Sequence, residues 1–192
     1  KHYSQVFKPT EVQMMLAAFS NIETVHISAY SHLLDTIGMP ETEYSAFLKY
    51  QQMKDKYDYM QKFGVATNRD IAMTLAMFGA FTEGLQLFAS FAILMNFPRH
   101  NKMKGMGQIV TWSVRDESLH TASIIKLFRT FINENPEIWD EDFKRELYVA
   151  CETVLNHEDA FIDLAFEMGS IEGLEGKEVK ADPSGLSFPV SS

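Results

Sequence analysis

Five residues of metal-binding types recur in a helical pattern in this sequence. Glu23 and His26 form a Glu-x-x-His pair, and Glu117 and His120 repeat it. In a helix, residues three apart lie on one face, so each pair presents a carboxylate and an imidazole together. Glu83 adds a third carboxylate from the middle of an apolar stretch. The pattern predicts that three helices contribute to one polar site.

Glu83 stands in the stretch from Asn68 to Phe97, which carries no other charge beyond Asp70. A helix that is apolar all round is buried on every side. A lone carboxylate inside such a helix is costly unless it is paired or bound to a cation. We therefore expect Glu83 to meet the two Glu-x-x-His pairs in the interior of a helical bundle.

The expected site combines three carboxylates with two imidazoles. Without protons or cations, up to three like charges would share a medium of low dielectric, which is unfavourable. Two divalent cations resolve this repulsion, and carboxylate oxygens with imidazole nitrogens suit iron or manganese. A combination of Glu and Glu-x-x-His on neighbouring helices is typical of di-iron and di-manganese bundles.

Taken alone, each Glu-x-x-His would be interpreted as a solvated or capping pair, because a single such pattern is common by chance. Two copies of the pair, on helices that flank an apolar helix with a Glu at its centre, are a more specific signal. The other histidines and several acids lack this pattern, so we interpret them as surface or core histidines and solvated helix charges: His2, His32, His100, His157, Asp35, Glu152, Glu158 and Asp159. The 11 Met and 15 Phe residues are interpreted as core filling.

Apolar residues recur at helical spacing along most of the chain. The predicted helices run from Glu11 to Ile37, Thr42 to Lys62, Asn68 to Phe97, Gly107 to Phe131 and Asp140 to Glu167. Thr10 with Gln13 has the form of a capping box, and Thr67 or Asn68 is the expected N-cap of the central helix. Pro98 is expected to end that helix. With no β-alternation and no Gly-rich phosphate loop, the fold class is all-α.

Composition narrows the domain organisation and the partners. The 192 residues suffice for one domain, at 1–175, and the Gly, Ser, Pro and charge of 176–192 predict a disordered or loosely attached tail. The net charge of −9, with no basic cluster, speaks against nucleic acid and anionic membranes. A single cysteine, Cys151, excludes an internal disulfide and suits a reducing, cytoplasmic location. The central stretch is long enough to cross a membrane, but Glu83 at mid-depth favours a soluble core.

Three segments resemble a known family: IETVHISAYSHLL, FTEGLQLFASF and WSVRDESLH. They are similar to the radical-bearing small subunit of class I ribonucleotide reductase, over about residues 1–173. The resemblance implies a ferritin-like bundle that holds two metal ions, iron or manganese, which react with O₂. The product oxidises a tyrosine to a stable radical, which starts nucleotide reduction in a large partner subunit. The family also forms homodimers.

The resemblance assigns roles residue by residue. It implies that Glu23 and Glu117 bridge the metals and that each of His26 and His120 binds one. Glu83 would be the terminal carboxylate beside His120. Tyr30 matches the radical tyrosine of the family, and Leu87 and Phe91 match the residues that line its pocket. Asp116 matches the carboxylate that orients the imidazole of His26.

The sequence departs from the family pattern in three places. The resemblance implies another carboxylate from a helix before Glu23, which this sequence does not include. Ser113 stands where an apolar residue is usual near the radical. The last Tyr is Tyr148, whereas the family pattern has one in a C-terminal tail. We therefore expect a fragment that is incomplete and has little activity alone.

Three alternatives stay open. A ferritin-like metal-storage bundle would need neither a tyrosine beside the site nor Arg-Asp before the second Glu. A di-metal oxidase acting on a fatty acid would be favoured by a lipid-sized cavity next to the site. A structural bundle would contain no metal at all, and metal analysis separates it from the others.

Overall fold

The computed structural model describes residues 6–180, except for the side chains of residues 43, 44, 46 and 47. Within that part the protein is a bundle of helices without a β-strand, which confirms the predicted all-α, ferritin-like class. Its α-helices are α1 (Thr10–Ile37), α2 (Gln51–Met60), α3 (Asn68–Ala76), α4 (Leu87–Arg99), α5 (Lys104–Glu134), α6 (Glu141–Ala165) and α7 (Gly176–Val179). A π-helical segment, Met77–Gln86, joins α3 to α4 in one continuous central helix.

The central helix is held by neighbours along its whole length. Helix α5 packs against α3, the π-helical segment and α4, while α6 packs against α2 and the π-helical segment. Met77 and Phe81 are buried against Val154 of α6, and Leu75 of α3 is buried against Ile124 of α5. Each fully buried side chain of this size contributes about 1.5–3 kcal/mol. This core anchors the segment that carries Glu83.

Helix α1 packs chiefly on α5 and ends as the sequence predicts. Gly38 has φ 80°, a left-handed conformation that glycine adopts without strain, and terminates the helix. The capping box predicted at the N-terminus is wrong. Thr10 is already the first residue of the helix and Pro9, whose side chain has no polar atom, is the N-cap, while the Gln13 amide donates to the Phe7 carbonyl at 2.9 Å.

The single helix predicted from Thr42 to Lys62 is also wrong. Residues Glu41–Lys49 form a 3₁₀-helix, and Tyr50 is extended, with ψ 124°, before α2 begins. In the 3₁₀ turn the Ser45 hydroxyl donates to the Thr42 carbonyl at 3.3 Å. The extended backbone at Tyr50 separates the 3₁₀-helix from α2, so the predicted helix is interrupted there.

The central helix begins at a complete capping box. The Thr67 hydroxyl accepts from the Asp70 backbone N–H, and the Asp70 carboxylate accepts from the Thr67 N–H, so the expected N-cap is Thr67. The expected stop before Pro98 is wrong by two residues, because the helix runs to Arg99. Pro98 lies in the last turn, where it has no backbone N–H to donate to the carbonyl four residues before it.

The central helix is not buried on every side, contrary to the prediction. Phe78 and Phe88 are each 37% exposed, so one edge of the helix lies at the surface of the described structure. By length and composition Asn68–Arg99 would pass as a membrane span, and 33% of its most apolar part is buried inside the protein. A core helix of a soluble protein passes the same test, so the feature is weak evidence for a membrane.

Glu158 of α6 was expected to be a solvated charge, and this is wrong. Its side chain is buried, at 4% exposure, and its Oε2 lies 2.6 Å from Nζ of Lys56 in α2. Burial raises the pKa of Glu158, and the Lys56 ammonium opposes that rise. A buried carboxylate on an otherwise apolar face requires such a partner, so this pair ties α2 to α6.

The remaining histidines lie away from the predicted site. His32 and His100 are exposed, and His157 is half-buried, with its ring 5.3 Å from that of Tyr59. His2 lies outside the described residues. At the other end, residues 176–179 form α7, and residues 181–192 of the predicted tail also lie outside the described part, so the domain boundary stays a prediction.

Candidate metal centre

Three elements bring four of the predicted ligands together. Glu23 comes from α1, Glu83 from the π-helical segment, and Glu117 and His120 from α5. Each offers a ligand atom, and these atoms all lie within 4.8 Å of one another. Glu117 and His120 are 3% and 1% exposed, so the centre of the group lies in the protein interior.

Glu23 and Glu117 each face both histidines. Glu23 has Oε1 3.2 Å from Nδ1 of His120 and Oε2 3.6 Å from Nδ1 of His26. Glu117 has Oε1 3.2 Å from Nδ1 of His26 and Oε2 3.4 Å from Nδ1 of His120. Two carboxylates that each point one oxygen at each imidazole have the arrangement of bridging groups.

These contacts shift the ionisation of the polar cluster. Contact with His120 is the main cause that lowers the pKa of Glu23, against the effect of burial. Burial alone would lower the pKa of His120, but Glu117 and Glu23 outweigh it and raise that pKa to about 10. In the metal-free protein, His120 is therefore a cation between two carboxylates.

His26 lies beside the four-residue group and connects it to Asp116. Its Nε2 lies 3.3 Å from Oδ2 of Asp116, while its Nδ1 faces Glu117 and Glu23. An imidazole held by a carboxylate on one nitrogen has the other nitrogen oriented for a ligand. The structure thus places Asp116 against the imidazole of His26, the ring with which the family resemblance pairs it. Arg115 contacts the second oxygen of Asp116, at 3.2 Å.

Glu83 is the acid with the most unfavourable surroundings in the cluster. Burial raises its pKa to about 7, the charges of Glu117 and Glu23 add to the rise, and the charge of His120 opposes it. Without a cation, Glu83 thus keeps its proton to nearly neutral pH.

The donor atoms of the cluster fit divalent cations. One buried atom of each of the four residues has no partner in hydrogen-bond geometry: Glu23 Oε1, Glu83 Oε2, Glu117 Oε2 and His120 Nδ1. Short contacts without hydrogen-bond geometry among buried polar atoms are costly unless another group satisfies them. Carboxylate oxygens with imidazole nitrogen are the ligands that iron and manganese accept. The residues therefore fit the predicted metal site.

Tyr30 lies on α1 one turn after His26, in an apolar pocket. Tyr30 is half-buried and packs against a buried apolar cluster that includes Phe91 and Val110, and Leu87 packs against the same cluster. Its hydroxyl donates a hydrogen bond to Oγ of Ser113 at 3.0 Å. Burial raises the pKa of the Tyr30 phenol, and the bond to Ser113 partly offsets that rise.

Sequence reasoning missed two contacts of the site. The Phe19 ring lies 4.1 Å from the His120 imidazole, centroid to centroid, and covers it. Phe19 stands four residues before Glu23, so helical spacing already places both on one face of α1. The other contact is Ser113, which the sequence marks as a departure from the family but not as the partner of Tyr30.

Comparison with known proteins agrees with this geometry. The sequence model of the family "Ribonucleotide reductase, small chain" matches residues 1–181. The chain is 45% identical to the probable ribonucleoside-diphosphate reductase small subunit 376L of Invertebrate iridescent virus 6, over 86% of this chain and 51% of that protein. It is 41% identical to the probable small subunit 048L of Invertebrate iridescent virus 3, over 93% and 52% respectively.

A bacterial relative is more distant. The ribonucleoside-diphosphate reductase subunit beta of Chlamydia pneumoniae is 24% identical over 71% of this chain and 43% of that protein. The chain spans about half the length of the curated relatives it matches. The match to the family model extends through the whole described structure. The chain belongs to the ribonucleotide reductase small-chain family.

Proposed function

We propose that this chain is part of a ribonucleoside-diphosphate reductase small subunit, in which a di-iron site and O₂ oxidise Tyr30 to a tyrosyl radical. The family is one of soluble di-metal enzymes. The observation that carries the proposal is the position of Tyr30. It is a half-buried phenol one turn from His26, on the same helix as two of the proposed ligands.

The proposed roles of the ligands follow from the contacts. Glu23 and Glu117 would be shared between two ions, since each directs one oxygen toward each imidazole. His26 and His120 would each be a ligand, and Glu83 would add a carboxylate beside His120. When bound, the ions supply Lewis acidity and electrons for the reduction of O₂. Asp116 orients the His26 ring.

The protein residues around the site hold Tyr30 and limit its contact with water. Tyr30 packs, together with Leu87, against the apolar cluster of Phe91 and Val110, and its hydroxyl donates a hydrogen bond to Ser113. Partial burial limits the access of solvent to a reactive side chain. The described residues near Tyr30 therefore suit a side chain that is oxidised and must persist.

The proposal includes the partners and the location. Iron is proposed as the metal, with manganese as the other ion that accepts these ligands. The assembly would be a homodimer that passes its radical to the large reductase subunit for deoxyribonucleotide synthesis. We propose a cytoplasmic location, without nucleic acid or membrane as partner, from the acidic charge balance and the lone Cys151.

No specific observation favours the alternative functions. A cavity of about 380 Å³ lies between α2, α3 and α6, lined by Tyr59, Phe63 and Met73 among others. None of the proposed metal ligands lines it. This cavity therefore offers no support for an oxidase that places a fatty acid at the metals. A storage bundle gives no reason for a tyrosine to lie one turn from His26 with its hydroxyl bonded to Ser113.

The test uses the chain loaded with ferrous iron and exposed to oxygen. We expect a tyrosyl signal in the electron paramagnetic resonance spectrum, lost in Tyr30→Phe and retained in the control Tyr148→Phe. The criterion is dependence on Tyr30, so a small yield suffices. Two metal ions per chain without any tyrosyl signal would favour storage, and a chain that binds no metal would leave only a structural bundle.

A further inference from the structure

Ser113 has an unusual position for a polar residue. It lies on α5 four residues before Glu117, is 1% exposed, and borders an apolar cluster that includes Phe91 and Val110. Its Oγ accepts the hydrogen bond from Tyr30 at 3.0 Å, across the interface between α1 and α5. No other hydrogen bond of the Tyr30 hydroxyl is recorded among the described residues. A half-buried phenol is stabilised by such a partner inside the protein, and an apolar side chain at position 113 would remove it.

A serine hydroxyl has two capacities that matter here. It accepts hydrogen bonds through its lone pairs and donates one through its hydrogen, which rotates freely about the C–O bond. Toward the phenol of Tyr30 it acts as the acceptor. Once Tyr30 has lost its hydrogen, the phenoxyl oxygen is only an acceptor, and the same hydroxyl can turn to donate. Both states of Tyr30 are then hydrogen-bonded without movement of either helix.

We propose that Ser113 is a positioning residue for Tyr30, which accepts the hydrogen bond of the phenol and donates one to the phenoxyl oxygen after oxidation. This inference rests on the proposed function. Ser113 keeps its own proton throughout and does not act as the base. An apolar residue at position 113 could not donate this hydrogen bond and would leave the phenoxyl oxygen without one.

The oxidation itself balances without Ser113. The O–H bond of Tyr30 breaks, and one electron and one proton leave the phenol. Both pass to O₂, which takes four electrons and four protons on reduction to two waters. Two ferrous ions and one external reductant, excess ferrous iron in the experiment, provide the other three electrons, and solvent provides the other three protons.

The test compares variants at position 113 with and without a hydroxyl. Ser113→Thr retains the hydroxyl, and Ser113→Val has the shape of threonine without the hydroxyl. Ser113→Ala is a second variant without a hydroxyl that adds no bulk to the buried position. Ser118→Ala is the control, because Ser118 lies on the same helix but is exposed and donates to the Val114 carbonyl at 2.6 Å.

The first measurement needs no metal. In chains labelled with ¹³C at the tyrosine ζ carbon, the Tyr30 resonance is identified by its loss in Tyr30→Phe. We expect its chemical shift to change in Ser113→Ala and Ser113→Val, and to stay near the parent value in Ser113→Thr and Ser118→Ala. A shift that is the same in all five proteins would overturn the inference.

The second measurement uses high-field electron paramagnetic resonance after loading with iron and oxygen in H₂O and D₂O. A donated hydrogen bond lowers the largest g value and adds an exchangeable deuteron coupling. We expect both features in the parent and Ser113→Thr, and their loss in Ser113→Val and Ser113→Ala. A Tyr30 radical with identical spectra in all variants would overturn the inference alone. Absence of any tyrosyl signal would overturn the proposed function and the inference together.

Discussion

Among the residues that the structure describes, Glu83 and His120 have the largest pKa shifts. The pKa of Glu83 rises to about 7 from 4.5, and that of His120 rises to about 10 from 6.5. A group with a raised pKa binds its proton more tightly in the folded state, so its contribution falls as the pH rises. For Glu83 this loss occurs between pH 4.5 and 7, and for His120 between 6.5 and 10. Both effects make the metal-free protein less stable in alkaline solution.

We predict that Glu83→Gln stabilises the metal-free protein at pH 8, by on the order of 2 kcal/mol after allowance for partial exposure. The reason is that the Gln amide has nearly the same shape as the carboxylate but carries no charge to be buried. At pH 4.5 most of this gain should disappear, because the parent acid is then protonated when folded. Urea unfolding at both pH values measures it, with the exposed Glu152→Gln as control. A less stable Gln variant at pH 8 would show that the Glu83 anion has a structural partner.

Asp116 tests whether His26 is a metal ligand. We predict that Asp116→Asn lowers the affinity for ferrous iron by about 10–100-fold, because the amide cannot orient the imidazole as the carboxylate does. A competition titration against a chelator measures the affinity. Asp58→Asn serves as the matched control, since Asp58 pairs with Lys54 on exposed α2. Equal affinities in all three proteins would remove Asp116 from the site.

At the scale of the helices, the π-helical segment depends on a close approach at Gly79. A Cβ added there would lie 2.2 Å from Cγ2 of Ile124, which is 5% exposed and cannot move aside. Glu83 stands four residues further along the same segment. The helices α5 and Met77–Gln86 are thus in contact close to the metal site.

We predict that Gly79→Ala lowers the free energy of unfolding by about 1–3 kcal/mol through overpacking and also weakens iron binding, because it displaces Glu83. Thermal unfolding and the chelator titration measure the two effects. Gly105→Ala is the control, since nothing lies within 4 Å of its added methyl group. Combining Gly79→Ala with Ile124→Ala should cost less than the sum of the single changes. Strict additivity would argue against the contact.

The pair of Lys56 and Glu158 joins α2 to α6 independently of the metal site. We predict that Lys56→Met alone costs about 3 kcal/mol at pH 8, because it leaves a buried carboxylate without its cation. The cost should shrink as the pH falls, since burial already raises the pKa of Glu158. Lys56→Met combined with Glu158→Leu should recover most of the loss. Urea unfolding of the three variants measures these differences, and a double variant no better than the single one would refute the pairing.

At the scale of the whole molecule, α1 exposes large apolar side chains. Met14, Val25 and Ile27 are 67%, 56% and 71% exposed. Exposed patches of this kind promote association. Light scattering at tens of micromolar, roughly the range where such contacts matter, should show a dimer or larger species. Ile27→Lys should weaken the association at least about tenfold, because it places a charge in an apolar contact.

Met168→Lys provides the comparison for this experiment. Met168 is fully exposed beyond the end of α6, and a charge there should leave the association unchanged. A clean monomer of the parent chain at these concentrations would contradict the prediction. Equal weakening by both substitutions would indicate a general effect of charge on solubility.

The sequence by itself determined the features that depend on local chemistry. The ends of α1 at Gly38 and of the central helix at Thr67 follow from backbone conformation and capping groups within a few residues. The convergence of Glu23, Glu83, Glu117 and His120 could be predicted because a carboxylate in an apolar helix needs partners. Spacing on each helix then limits which residues can meet it. Family resemblance supplied their proposed roles.

Only the tertiary structure decided the contacts between helices. Spacing along one chain cannot specify which residue of a neighbouring helix lies opposite, because that depends on how two side-chain surfaces interlock. The bond from Tyr30 to Ser113, the pairing of buried Glu158 with Lys56 and the exposure of Phe78 arise in this way. The π-helical segment around Glu83 packs on α5 and α6, and the sequence of one segment does not specify such contacts.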